Sequence, residues 1–218
     1  ETHKQATYFS IRNDGSYERL KEQTGLDVPE IPDPGFFVDL NTSYERPLKD
    51  KYVILQLAND KPEYRFGNDA RRKEFLKNMR EVISSITSKY KVILAPHVLE
   101  DISLSESVAE GMDNVEVWNF GAYAFDHSDK AVAFYKYAEY VLAMRGHGQI
   151  VPISFNVPVV SLENHPKHRG LMEKIGLSEY NVSVHDNDFV NKTIAAIQRI
   201  EDNKIDLVNQ YKEINKKL

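Results

Sequence analysis

From Lys51 onward the apolar positions follow two alternating rhythms. Tyr52-Val53-Ile54-Leu55-Gln56-Leu57, Val92-Ile93-Leu94-Ala95, Val115-Glu116-Val117-Trp118, Tyr140-Val141-Leu142-Ala143-Met144 and Val157-Pro158-Val159-Val160-Ser161-Leu162 are short, largely apolar runs. Strands buried on both faces of a parallel sheet have this pattern. Amphipathic stretches separate them. Between Asp69 and Lys89, apolar side chains recur at Phe75, Leu76, Met79, Val82, Ile83 and Ile86, the spacing of one helix face. Ser103 to Gly111, Asp129 to Tyr137, a stretch from Gly148, and Pro166 to Ile175 (stopped by Gly176) predict further helices. Val182-Ser183-Val184 predicts a last short strand. Asp188 then caps a long terminal helix with Ile194, Ile197, Val208 and Tyr211 on one side. This alternation of strand and helix predicts an α/β fold, a Rossmann-like doubly wound and mostly parallel sheet.

The first fifty residues lack that rhythm. Thr7 to Arg12 is strand-like and runs into Asn13-Asp14-Gly15-Ser16, a turn with Ser16 as helix N-cap. A short helix to about Thr24 follows, with Gly25 ending it. Ile31-Pro32-Asp33-Pro34-Gly35 is too proline-rich for a regular element, and Phe36-Phe37-Val38 reads as a short strand after it. Residues 40–50 are polar and predict a linker, dividing the chain into a segment 1–44 and a domain 45–218.

Composition narrows the classes. With 218 residues, 41% of them hydrophobic, the chain can bury a substantial core. A formal charge of −5 gives no global basic field, so nucleic acid is not an expected partner. The absence of cysteine excludes disulfides, thiolate zinc sites and cysteine nucleophiles. No apolar run approaches the roughly 18 residues of a membrane span, and no signal peptide opens the chain. A soluble, cytoplasmic protein is expected.

The chemistry concentrates at Arg145-Gly146-His147-Gly148, where an apolar run stops and a helix starts. Ligands of open α/β sheets collect at the carboxyl ends of strands, and helix N-termini there offer free N–H groups to anions. Arg145 and His147 on such a turn face an acidic ligand, and Pro152 is expected in the first helical turn, where a missing N–H matters little. Histidine is the side chain type suited to acid–base work near neutral pH, which makes His147 the candidate. Arg12 and Lys167 also fall at or just after predicted strand ends, and His97 follows another. His165 and His168 are three residues apart but lack a carboxylate at ligand spacing, so a solvated helix start explains them better than a metal. Asp186-Asn187-Asp188 is explained by helix capping.

Several motifs together resemble the polysaccharide pyruvyl transferase family. They are Ser10-Ile11-Arg12-Asn13-Asp14-Gly15-Ser16, Asp33-Pro34-Gly35-Phe36, the strand ending in Arg145-Gly146-His147, Pro158-Val159-Val160, Lys167, and Ile175-Gly176-Leu177. The resemblance spans about residues 7–178 and departs from the family pattern at Asn13, where an acid is usual. It implies one half of a GT-B-like architecture, with 1–44 matching the end of the family's N-terminal domain. It also implies transfer of a pyruvyl group from phosphoenolpyruvate to a sugar of a cell-surface or secreted polysaccharide, with no cofactor. The acceptor would be a saccharide, free or carried on a lipid or nucleotide. His147 would be the catalytic acid/base, and Arg12, Arg145, Gly148, Lys167 and His97 would bind substrates. Two other readings stay open. A GT-B glycosyltransferase would use Arg145 and Lys167 on a nucleotide-sugar diphosphate and Glu163 on the ribose; a non-catalytic Rossmann-like module would only bind.

Overall fold

The computed structural model describes residues 6–12, 14–38, 43–121 and 128–217. Six strands form one parallel sheet: β3 (Tyr52–Gln56), β4 (Lys91–Leu94), β5 (Val115–Val117), β6 (Val141–Ala143), β7 (Val159–Glu163) and β8 (Asn181–Ser183). Their order across the sheet is β5-β4-β3-β6-β7-β8. The chain therefore winds outward from β3 on one side, then returns to the middle and winds outward from β6 on the other. Ile54 pairs with both Val141 and Ile93, so the reversal lies between β3 and β6. Every residue of β3, β6 and β7 is buried, which is why these runs carry so few polar residues.

The helices are α1 (Ser16–Thr24), α2 (Pro62–Phe66), α3 (Asp69–Ile86), α4 (Leu99–Ala109), α5 (Ser128–Tyr137), α6 (Gly146–Ser154), α7 (Pro166–Lys174) and α8 (Phe189–Lys217). Asn68 caps α3 by accepting from the Arg71 N–H at 2.9 Å, and Phe75, Met79, Val82, Ile83 and Ile86 bury the predicted face. Phe75 joins α3 to α2 and α8 through Phe66 and Phe189, with ring centroids 5.1 and 5.6 Å away. Helix α8 bends at Asn203 and reaches back to the sheet, where the Tyr211 hydroxyl accepts from the Val159 N–H at 3.0 Å. None of the described helices is long and apolar enough to cross a membrane.

Several local expectations are corrected. Phe36-Phe37-Val38 is not a strand. Pro34–Phe37 is a 3-10 turn, because the Asp33 carboxylate accepts from the Gly35 N–H at 2.9 Å and curls the chain. The strand before α1 shrinks to β1 (Ile11–Arg12), which pairs only with β2 (Glu30–Ile31). Helix α4 starts at Leu99, four residues before Ser103. Helix α6 starts at Gly146, so Pro152 lies in its interior rather than its first turn; the helix ends two residues later, and Phe155 and Val157 donate to the Pro152 carbonyl. The predicted linker at 40–50 lies partly outside the described residues, at 40–42, as does Asn13.

The segment before β3 is held against the sheet's carboxyl end. A methyl group added at Gly170 in α7 would come within 2.8 Å of the Asp14 carbonyl and 3.1 Å of the Gly15 Cα, so this approach needs glycine. Lys174 bonds Glu30 at 2.8 Å and Glu18 at 3.3 Å, and the 3-10 turn rests on α6. These contacts bring Arg12 and Asp33 to the site.

Candidate active site

At the reversal point β3 and β6 end side by side. Gln56, the last residue of β3, is fully buried; its Oε1 accepts from the Arg145 N–H at 2.8 Å and its Nε2 donates to the Leu57 carbonyl at 2.6 Å. One side chain thus fixes where β6 stops and the turn begins. Gly148 packs beneath, where a methyl group would lie 3.1 Å from the Ala143 Cβ and 3.3 Å from Gln56. Gly148 is buried and does not line the cleft above, so its geometry is that of a packing residue.

That cleft has a volume of about 410 Å³ and gathers Arg12, His97, Arg145, His147 and Lys167 from separate elements. It falls in the usual range for small-molecule sites. Arg145 is deeply engaged. Its Nε and Nη2 donate to the two oxygens of Asp101 at 2.8 and 2.7 Å, a planar fork-to-fork pair, and Nη2 also meets Asp60. Asp101 is completely buried and accepts in addition from the N–H groups of Asn59 at 2.9 Å and His97 at 3.2 Å. Burial opposes the guanidinium charge, but the bonds and charges of Asp101 and Asp60 outweigh it and raise the pKa. Among the described residues Nη1 makes no hydrogen bond, so that edge of the guanidinium is unengaged.

His147 is mostly exposed, and its Nε2 lies 3.4 Å from an Asp33 oxygen. Asp33 itself is buried and also receives Arg12 Nη1 at 2.6 Å. Burial works to raise the Asp33 pKa, yet the Gly35 N–H, Arg12 and His147 together lower it. A single carboxylate therefore orients both the arginine of β1 and the histidine of α6.

Lys167, in the first turn of α7, has no ion pair among the described residues. Burial lowers its pKa, and the charges of Arg12, Arg65 and Arg145 lower it further. Cations crowd this end of the cleft, which favours an anion. Arg65 of α2 belongs here too, held by Asp60 at 2.7 Å. The cleft also has an apolar lining, with Val98, Phe120, Val132 and Ile150. His97 sits against it, stacked on Phe120 and 2.5 Å from the Tyr135 hydroxyl.

Asp33, Asp60, Arg65 and His168 line or brace the cleft, and none of them was among the expected site residues; Asp101 braces it from the stretch that follows His97. Asp33 had a signal in its Asp-Pro-Gly turn; Arg65 had none. The pair His165 and His168 also divides differently from expectation. His165 caps α7, its Nδ1 accepting from the Lys167 N–H at 3.1 Å, but His168 is only 2% exposed rather than solvated. Asp186 pairs with Lys192 at 2.5 Å and accepts from the Asp188 N–H at 2.9 Å, whereas the Asp188 carboxylate, the expected cap, accepts from the Asn191 side chain at 2.7 Å and not from a backbone N–H. No group of three potential metal ligands occurs among the described residues.

Two cleft histidines make the fold sensitive to acid. Burial, followed by the nearby Arg145 charge, pushes His97 down to about 4; burial and Lys167 push His168 down to about 3. Below the ordinary histidine value near 6.5 the unfolded chain binds protons that the folded chain refuses. Stability is therefore expected to decline as pH falls from about 6.5 towards 4. Thermal melts across that range check this, and a midpoint that stays flat would count against neutral, buried rings.

A family model of polysaccharide pyruvyl transferase matches residues 1–166, well over half of the chain. The chain belongs to that family. Among curated proteins no sequence matches it. Solved structures add the fold. One is the UDP complex of MnaA from S. aureus, 15% identical with a TM-score of 0.59; the match covers 91% of this chain and 52% of that one. Another is a putative UDP-N-acetylglucosamine 2-epimerase from Listeria monocytogenes, 15% identical with a TM-score of 0.52, covering 90% and 51%. This family member is thus similar to about half the length of each, and its sheet is the Rossmann-like half of a GT-B-like architecture.

Proposed function

We propose that the protein transfers the pyruvyl group of phosphoenolpyruvate to two hydroxyls of a saccharide, forming a pyruvate ketal on a cell-surface or secreted polysaccharide. The observation that carries this reading is the convergence of His147 with Arg12, Arg145 and Lys167 in one cleft, in a chain of this family. Phosphoenolpyruvate is a small trianion. The free edge of Arg145 suits its carboxylate and the Lys167 end suits its phosphate.

In this reading His147, oriented by Asp33, gives a proton to the methylene carbon. The central carbon, now electron-poor, is attacked by one acceptor hydroxyl, whose proton returns to His147. The bond from that carbon to the phosphate oxygen breaks, and a second hydroxyl closes the ketal; its proton leaves with the phosphate. The apolar lining of the cleft suits the face of a sugar ring. The donor carries the reacting group, so no cofactor is needed, and a cytoplasmic location is part of the same reading.

The nucleotide-sugar alternative is weakened by Glu163. Its two oxygens already accept from Arg169 at 2.6 Å and Asn181 at 2.6 Å, leaving little for a ribose. Thermal melting with each ligand in turn decides between them. A ligand at about 100 times its dissociation constant adds roughly 2.7 kcal/mol. Phosphoenolpyruvate is expected to raise the midpoint and UDP-sugars to leave it unchanged; the reverse pattern would replace this reading with the glycosyltransferase one.

A further inference from the structure

Buried polar atoms in folded proteins nearly always find a partner, so a cluster of them without one calls for an explanation. Ten such side-chain atoms occur among the described residues, and five of them fall between Ser161 and His168: the Ser161 hydroxyl, both Asn164 amide atoms and both ring nitrogens of His168. This is the unit where β7 passes into α7. Of these three residues His168 is the one that lines the cleft, beside Lys167 and Arg65. It is 2% exposed, and its ring makes neither a hydrogen bond nor an ion pair.

We propose that His168 is a ligand-contacting residue, donating a ring N–H to the phosphate group that Lys167 attracts to this end of the cleft. The ligand's identity as phosphoenolpyruvate rests on the reading above. The phosphate contact rests on the partnerless ring and the cations around it. Burial first, then the charges of Lys167, His165 and Arg65, holds the ring neutral. A neutral donor suits this position, because Arg12, Arg65, Arg145 and Lys167 already crowd it with positive charge. It adds a hydrogen bond without adding repulsion in the empty site.

The proposal separates stability from binding. An unsatisfied buried ring costs stability, and an apolar ring of similar shape removes that cost. His168→Phe is therefore expected to melt at the same temperature as the unsubstituted protein or higher. It should bind inorganic phosphate and phosphoenolpyruvate at least tenfold more weakly, with the affinity for pyruvate, which has no phosphate, unchanged. Phosphate binding retained within twofold in His168→Phe overturns the proposal while leaving the donor reading intact. If the unsubstituted protein takes inorganic phosphate but not phosphoenolpyruvate, and the variant loses it, the phosphate contact stands and the donor reading goes. Should His168→Phe fold poorly, the ring nitrogens of the unsubstituted protein give the answer by ¹⁵N NMR, assigned with His168→Asn. Added inorganic phosphate is expected to shift the His168 resonances, and resonances that stay in place overturn the contact.

Discussion

Replacing Asp101 by alanine is expected to destabilise the protein by about 3–5 kcal/mol, the loss typical of stripping one partner from a buried ion pair. The Asp101 side chain is completely buried and the Arg145 side chain nearly so, at 18% exposure. Without the carboxylate, the guanidinium keeps only Asp60, and the N–H groups of Asn59 and His97 lose their acceptor. For a domain of this size that corresponds to a fall in melting temperature on the order of 10 °C. Urea or thermal unfolding measures it, and a loss under about 1 kcal/mol would mean that water replaces the carboxylate. The double variant Asp101→Leu with Arg145→Met separates stability from chemistry. Replacing a whole buried pair with apolar side chains of similar volume is often neutral. The double variant is expected to recover most of the lost stability and none of the phosphoenolpyruvate binding, since the cation that faces the ligand is gone.

The central sheet is legible in the sequence because burial leaves a local mark. Strands β3, β6 and β7 are buried at every position and read as continuous apolar runs. Helix α4 is less visible at its start. Its first residue, Leu99, is 77% exposed, and Asp101, which secures the turn by accepting from the His97 and Val98 N–H groups, is also engaged by Asn59 and Arg145 from far along the chain. The same distinction governs the site. Arg145, His147 and Lys167 converge because each lies at or just beyond the carboxyl end of a strand, a position that alternation alone reveals, and Arg12 joins them from the segment outside that rhythm. Which cation remains available is a different matter. Asp60 and Asp101 lie 85 and 44 residues from Arg145, and nothing in their local sequence marks them as its partners. His165 and His168 make the point most sharply. Three residues apart at the start of α7, one caps the backbone and the other is sealed against the cleft, a difference that their spacing does not encode.

His147→Ala is expected to reduce turnover by about 10²–10⁴-fold, the contribution typical of a positioned general acid–base group. That is a barrier increase of about 3–5 kcal/mol. Stability should hardly change, because the side chain is 65% exposed and its nearest polar partner is the Asp33 oxygen 3.4 Å away. Phosphate release from phosphoenolpyruvate, measured with a diol-bearing saccharide acceptor, reads the rate; thermal melting reads the fold. Asp33→Asn provides the internal comparison. It removes the charge that orients His147 and also the acceptor charge for Arg12, so its effect should be smaller than that of His147→Ala on turnover and larger on the melting temperature. A role for His147 in binding alone would produce a different pattern: the KM for phosphoenolpyruvate would rise with kcat unchanged. Loss of kcat at unchanged KM supports proton transfer, because the interaction removed is then one made in the transition state. Turnover within tenfold of the unsubstituted protein would move the acid–base role away from His147. His97 would not readily inherit it, since burial holds its ring neutral down to about pH 4 and its Nε2 is already engaged by Tyr135.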